Sequence, residues 1–525
     1  MTTKVTPNMM DLPFLMPEQY GAVGDLVADE STEVGNMIAA SITDKKPVEI
    51  LGRYKLDSAI TQSMTVGDHF VARGNGPSSS TLLINNTTGG LFFPDGENKQ
   101  FTVTLERMHF KPGLADSGQP LSVTRTAGGL DKDSSVLLRD IHIGPENEND
   151  EDEDFSNGLD IDGSFRARLD NVKVISSSAT AKWDYMLNVD NSYKPELSNV
   201  FLNCVDAQPF GGGALVGISD VGTDQEGFNW QECTVNGADI GLNFIRDSRE
   251  PGFRMTKGHF NNEVKNVYIE GMKDGIMEGM LMYGPSTYAG EFIDFHIVDG
   301  EKLNFVDVEF RQGNVGGSRR HFYLEPKVGG VVRDIYIHSN LMSAETDVAP
   351  FYIGAGCTNI TIHLPNYIPT VDNANYPNQL VEIDASVSPD EVTIITASGP
   401  LSYQDGSSGG PDWKLMRVSA SPASGDALGS LKYVGQNDAA EEVDYGVIRA
   451  KIETETDGSE DGSLEFFTQR AGTSTRFLDL NFPAVNNSSV LEVGVRESGA
   501  LVVYRVKVGA ADSGGTGQRL LTIDN

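Results

Sequence analysis

A six-residue phrase recurs through the middle of this chain and limits the folds open to it more than any other feature. It reads apolar, any, polar or turn-forming, apolar, any, apolar. The ten copies begin at Leu105, Leu138, Leu169, Leu197, Trp230, Val264, Phe292, Phe305, Val332 and Cys357. The third position is Asn or Asp in eight of the ten, and most copies lie 25–34 residues apart. The last three residues alternate as a half-buried strand does. Asn and Asp tolerate a left-handed backbone and bond their own main chain, which suits a tight corner. One short strand after one such corner in every period is what a coil of a β-solenoid requires. Each repeat then buries its apolar face on the next, so a 525-residue chain need not split into several ordinary cores. Parallel strands stack about 4.8 Å apart, so ten coils make a rod of roughly 50 Å. An antiparallel sandwich array is the competing reading. It requires hairpin signals every 8–12 residues or so, and these are scarce between residues 100 and 365. The copies at Phe292 and Phe305 are only 13 residues apart, as if one were a second strand of the same coil.

Composition narrows the functions. The formal net charge is −35, which opposes nucleic-acid binding, because that needs a basic face to displace counterions. It opposes adhesion to anionic lipid as well, and it favours solubility. Cys204, Cys233 and Cys357 are too few and too dispersed for a disulfide framework or a zinc pattern, so buried free thiols are expected. No stretch approaches the roughly 18 apolar residues of a membrane span, and the opening residues lack the layout of a secretory leader. A virion component released by lysis would need no leader.

An open solenoid end exposes core and strand edges and requires a cap. Residues 29–42 supply one: Val34, Ile38 and Ile42 share a helical stripe with Met37 beside it, and Asp29 or Ser31 is placed to cap the first turn. Just before it, Tyr20-Gly21-Ala22-Val23-Gly24-Asp25-Leu26-Val27-Ala28-Asp29-Glu30-Ser31 resembles the opening motif of the pectate-lyase superfamily, which phage tail spikes commonly carry at the start of their right-handed β-helix. The departure is Leu26, where the family has Gly. Val48–Leu56 and the Gly74-Asn75-Gly76 turn resemble the family's first coils. Residues 398–430 are rich in Gly, Ser and Pro, and alternating strands follow at Tyr445–Ile452, Ser463–Phe467 and Ala500–Val508. Asp457–Gly462 and the closing Val508–Leu521 are similar to segments near the ends of phage tail proteins.

The expected fold is therefore all-β: a right-handed parallel β-helix with an N-terminal capping helix and a C-terminal, sandwich-like β module. The expected divisions are an attachment segment at 1–17, the β-helix at 18–398, a junction at 399–430 and the C-terminal module at 431–525. The resemblance implies a homotrimeric spike on a virion tail, held by a tail or baseplate protein, that binds a bacterial surface polysaccharide outside the host cell without a cofactor or metal. Some such spikes cleave the glycan and others only bind it. A non-enzymatic adhesin and a secreted polysaccharide lyase are the alternatives.

Glycosidic hydrolysis needs two carboxylates, about 5–5.5 Å apart for retention or 6.5–9.5 Å for inversion. No motif fixes the pair among 75 acidic residues. The stretch 224–294 combines acids with aromatics, so Asp247, Glu250, Asp274 and Glu278 are the candidate catalytic carboxylates. Trp230, Tyr283 and Tyr288 are candidate sugar-stacking faces, and Arg246 and Arg254 candidate partners for acidic sugars. Trp230 also falls at an inward repeat position. His109, His142 and His296 fall at outward strand positions, where surface roles are expected, and the run Glu146–Asp154 reads as an exposed acidic loop.

Overall fold

The computed structural model describes residues 13–524 except 96–100, 126–134, 147–152, 165, 178–181, 206–207, 210–212, 223–226, 286–289, 312–317, 342–347, 365–380, 389–390, 397–422, 437–441, 455–460, 471–472, 482–488, 498–499 and 509–520. Side chains within it are described except at 208–209, 247–251, 340–341, 396, 434–436, 442, 453–454, 461, 470, 473 and 475–524. The chain separates into two compact units, Met1–Ser398 and Gly399–Asn525.

The first unit is a parallel β-solenoid of about 10 turns with three lateral sheets. Sheet 1 stacks strands such as Glu196–Ser198, Asn229–Gln231, Arg254–Thr256 and Ile276–Glu278. Sheet 2 stacks Phe201–Cys204, Thr234–Asn236, His259–Asn261 and Leu281–Tyr283. Sheet 3 stacks Leu159–Asp162, Tyr185–Asn188, Val216–Gly222, Ile240–Pro251 and Lys265–Lys273, then the long strand Phe292–Arg311, and finally Arg319–Leu324, Phe351–Ile353 and Val381–Ile383.

Most hexads do turn corners. Arg107, Asp140, Asn171, Asn199, Glu232, Asp307, Asp334 and Asn359, all third-position residues, have φ between 51° and 57°. The Asx side chains also tie successive coils together: Asn171 Nδ2 donates to Asp140 at 2.7 Å and Asn199 Nδ2 to Asn171 at 2.9 Å. Arg107 and Glu232 adopt the same left-handed geometry without an Asx side chain. The copies at Val264 and Phe292 are different. Their third residues, Asn266 and Asp294, lie within strands of sheet 3 and are fully buried. The strand Phe292–Arg311 holds both closely spaced copies, the first in sheet 3 and the second at the corner between sheets 1 and 2.

Inside, apolar residues stack in register. In sheet 3 the column runs Leu159, Leu187, Ile218, Leu242, Val267, Phe295, Phe322, Phe351, Val381. Phe295, Phe322 and Phe351 stack face to face, with centroids 4.8 and 5.7 Å apart. Each such buried side chain contributes about 1.5–3 kcal/mol. The three cysteines are buried free thiols.

Helix α1, Ser31–Asp44, buries Val34, Met37, Ile38 and Ile42 against the solenoid end. Asp29 Oδ1 accepts the Ser31 and Asp57 amides at 3.0 and 3.1 Å. Glu30 Oε1 accepts the Val23 and Gly24 amides, which folds the opening motif over the first turn of the helix. Leu26, where the resembled motif has Gly, adopts φ 63°, a conformation that costs a branched L-residue about 1–2 kcal/mol.

Two surface expectations change. His109 is buried and stacks on His142 at 4.4 Å, with Nε2 2.7 Å from the Gly144 carbonyl oxygen. Burial pushes His142 down to about 3. The acidic run is anchored at both ends: Glu146 pairs with Arg53 at 2.8 Å, and Asp154 is buried, accepting the Ser176 hydroxyl at 2.7 Å and the Ser177 amide at 3.0 Å. Its centre, 147–152, lies outside the described residues.

In the second unit, seven antiparallel strands in sequence order form one sheet among the described residues. Leu431, Tyr433, Tyr445 and Leu464 remain exposed on it. The Asp457–Gly462 segment (all but its last two residues) and most of Val508–Leu521 lie outside the described residues.

Candidate functional site

The outward positions of sheet 3 form a second ladder, one atom layer away from the apolar one. Strand alternation dictates it: each outward residue sits between two inward ones, apolar in every case except Asp220 beside Ser219. Paired rung to rung, the column is Ser122, Asp160, Asn188, Ser219, Asn243, Tyr268, His296, Tyr323, Tyr352, Glu382. From Asp160 to Tyr352 it crosses seven steps, or roughly 34 Å at about 4.8 Å per rung.

The N-terminal part of this wall is a carboxylate cluster. Asp160 and Asp162 project from one strand, Leu159–Asp162, both half-buried. Asp190 follows the next strand. Asp160 accepts Asn188 Nδ2 at 2.8 Å and the Ser122 hydroxyl at 2.9 Å. Asp162 accepts Asn191 Nδ2 at 2.8 Å. Asp190 accepts the Ser219 hydroxyl at 3.0 Å and the Val221 amide at 2.7 Å. Desolvation raises all three above the ordinary carboxylate range, most clearly Asp190, which burial and its neighbours Asp162 and Asp160 push up to about 6 despite its hydrogen bonds. Gly158 lets the rungs close up beneath the cluster, since a Cβ there would lie 2.0 Å from the Met186 carbonyl oxygen.

The C-terminal part is aromatic. Tyr268 meets His296 edge-on at 5.2 Å, His296 meets Tyr323 edge-on at 5.1 Å, and Tyr323 stacks on Tyr352 at 4.5 Å. Arg320 lies over Tyr323 and Tyr352 at 5.8 and 5.2 Å and is held by Glu291 at 2.6 Å and Glu382 at 2.8 Å. Lys265 Nζ donates to His296 Nδ1 at 2.9 Å and lies over Tyr268. Burial and the Lys265 charge push His296 down to about 4, so the ring is neutral at pH 7. Lys327 pairs with Glu270 at the edge.

Behind this wall lies a different carboxylate. Asp294, fully buried, accepts Arg319 through two nitrogens at 2.9 Å each, His321 Nδ1 at 2.8 Å and Asn266 Nδ2 at 2.7 Å. Burial alone would raise its pKa, but the Arg319 guanidinium and His321 hold it below the ordinary range.

The described candidates named from sequence fall in different places: the interior, sheet 1 and sheet 2. Trp230 is fully buried, packed edge-on against Phe228 and Phe253 at 5.7 and 5.6 Å. Arg246 is buried in an ion pair with Asp220 at 2.7 Å, between Phe228 and Phe244. The interior claims both, so neither presents itself to a sugar. Glu278 and Arg254 are exposed on sheet 1, 3.9 Å apart, and Asp274 turns a corner near Lys302. Tyr283 is half-buried on sheet 2 beside His259. Asp247 and Glu250 lie on the strand Ile240–Pro251, but their side chains, like the whole of Tyr288, are outside the described residues. The wall itself had a sequence signal: a second series of tripeptides, including Leu159-Asp160-Ile161, Val267-Tyr268-Ile269, Phe295-His296-Ile297, Phe322-Tyr323-Leu324 and Phe351-Tyr352-Ile353, each with one polar or aromatic residue between two apolar ones. Among the described residues no group of three or more His, Cys, Asp or Glu side chains could hold a metal ion, and no helix is long and apolar enough to cross a membrane.

No family model and no curated protein matches the sequence. Among solved structures the chain is similar to the A-module of the mannuronan C-5 epimerase AlgE6 of Azotobacter vinelandii, with TM-score 0.45 and 11% identity over 73% of this chain and 99% of that one. It is also similar to PfbA, a surface adhesin of Streptococcus pneumoniae, with TM-score 0.43 and 10% identity over 88% and 99%. The tailspike protein of Acinetobacter phage vB_ApiP_P1 aligns with TM-score 0.35 and 10% identity over 93% and 83%.

Proposed function

We propose that the protein binds an extended polysaccharide along the outer wall of sheet 3 and hydrolyses it at the carboxylate cluster. One observation carries this reading: three half-buried carboxylates of raised pKa share a lateral face with a ladder of aromatic rings that begins four rungs beyond Asp160. Aromatic faces stack on the apolar faces of sugar rings, and the amides and hydroxyls of Asn188, Ser219 and Asn243 suit sugar hydroxyls. Asp190, the group whose pKa reaches about 6, is fitted to protonate the leaving oxygen, and Asp160 or Asp162 to act as nucleophile or base. Residues two apart on a strand are separated by roughly 6.6 Å and adjacent rungs by about 4.8 Å. This is the scale of separation that both stereochemical outcomes use.

The opening motif and the closing segments support a biological setting: a homotrimeric, receptor-binding tail spike of a bacteriophage, held by a tail or baseplate protein and acting on a bacterial surface polysaccharide outside the cell. Three chains would also multiply weak glycan contacts. A binding-only adhesin is the second reading. It is favoured by the fact that Asp160, Asp162 and Asp190 each already accept hydrogen bonds from adjacent rungs, as a purely structural ladder would. Incubating purified protein with host capsule or lipopolysaccharide separates the two. New reducing ends that vanish in Asp190→Asn support hydrolysis. Binding without chain shortening supports the adhesin.

A further inference from the structure

We infer that the wall takes an uncharged or ammonium-bearing glycan and rejects a polyanionic one. The inference rests on the reading of sheet 3 as the glycan face and names the class of polymer that face accepts. Three cations are described along it, two of them in ion pairs and the third donating to a neutral ring. Arg320 is held between Glu291 and Glu382, Lys327 pairs with Glu270, and Lys265 is turned onto the His296 ring nitrogen. His296 adds no charge at neutral pH. A sugar carboxylate laid on the column would instead meet Asp160, Asp162 and Asp190 at its N-terminal end, while Glu382 at the other end is paired with Arg320. The hydrogen-bonding groups between these ends, Asn188, Ser219 and Asn243, are neutral and serve hydroxyl or acetamido groups. The arginines that the sequence offered for acidic sugars are elsewhere: Arg246 is buried against Asp220 and Arg254 lies on sheet 1.

Like charges facing each other act against a partner as strongly as complementary ones act for it. One carboxylate brought to roughly 5 Å of another at the edge of a protein lowers affinity by on the order of a hundredfold at low ionic strength. A polymer with one carboxylate per repeat would meet this penalty at the two adjacent rungs that carry Asp160, Asp162 and Asp190. An ammonium group would meet attraction at the same positions.

The test uses the full-length protein on an array of purified bacterial polysaccharides with neutral, amino-bearing and acidic repeats. Binders are expected in the first two classes. The best neutral binder is then compared with a twin whose primary hydroxyls have been oxidised to carboxylates. The twin should bind about a hundredfold more weakly at low salt and recover in part at about 0.5 M NaCl, where screening shortens to a few ångströms. Tighter binding of acidic polymers, or equal binding of the twin, overturns the inference. Tyr323→Ala and Tyr352→Ala, both outward and each checked for an unchanged melting curve, place the ligand on the wall. Acidic binders that lose affinity in these variants would overturn the charge class and leave the wall reading standing. Binding indifferent to both variants, or no binding to any polymer, removes the wall reading and the inference with it.

Discussion

Two carboxylate groups on the same sheet have taken opposite courses. Asp294 faces inward, is completely buried, and is surrounded by Arg319, His321 and Asn266. Asp160, Asp162 and Asp190 face outward, are only half-buried, and receive hydrogen bonds from neutral groups. The first has its pKa lowered and the others have theirs raised. Burial acts in the same direction on all four, so the cation makes the difference. A carboxylate supplied with a guanidinium is fixed in its charge and serves the fold. Carboxylates left with amides and hydroxyls are raised by burial, and Asp190, pushed up to about 6, keeps a proton near neutral pH, which is the property acid–base chemistry needs.

The largest effect should come from breaking the buried group. Asp294→Ala leaves Arg319 buried without its counter-charge and should lower stability by about 3–5 kcal/mol, measured by denaturant unfolding. A loss below about 1 kcal/mol would put this ion pair in the class of surface pairs and erase the contrast. Asp190→Asn should leave folding intact and reduce glycan hydrolysis by about a hundredfold or more, measured as reducing ends per unit time. Hydrolysis by the wild type should fall as pH rises through about 6, the value to which Asp190 is raised, because the acid form is lost there. A rate flat across that range would remove Asp190 as the acid.

Stability should show the contrast in its sign. Asp190 has a folded pKa above its unfolded value, so it binds a proton more tightly when folded, and its unfavourable contribution disappears as pH falls from about 6 toward 4. Asp190→Asn should therefore stabilise the protein above pH 6 and not below about pH 4, by about 1 kcal/mol once partial exposure is allowed for. Asp294, with a lowered folded pKa, contributes stability that is present above the unfolded value of about 3.9 and lost only as pH falls through the folded one. The smallest effect should come from Asn171→Ala. It removes one hydrogen bond to Asp140 and one from Asn199 at an exposed corner and should lower stability by about 1 kcal/mol, because water can replace what is lost.

These contrasts also mark what could be read in advance. The corners were legible because left-handed backbone leaves a local signature: Asp140, Asn171, Asn199, Asp307, Asp334 and Asn359 are the residue types that tolerate it. Arg107 and Glu232 turn the same corner without that signature, between residues that pair with the neighbouring coils. Asn266 and Asp294 carry the signature and do something else, because a hexad within a strand looks the same as one across a corner until the rungs are stacked. The helical cap was legible from its apolar stripe. The wall left only its apolar-X-apolar tripeptides, which mark outward positions without showing which of them share a column. Asp160 and Tyr352 lie 192 residues apart, and the register that aligns them is set by loop lengths between strands. Trp230 and Arg246 misled for a related reason: residue chemistry suggests a sugar contact, and only packing reveals that both are interior.

The register of sheet 3 also bears on how such a molecule changes. Every wall side chain is flanked in its own strand by residues that belong to the interior. Recognition could therefore be rewritten one rung at a time, swapping a ring for an amide or an acid, while the scaffold that displays it is inherited unaltered. A surface organised in this way lets a lineage follow a drifting target without having to solve folding again.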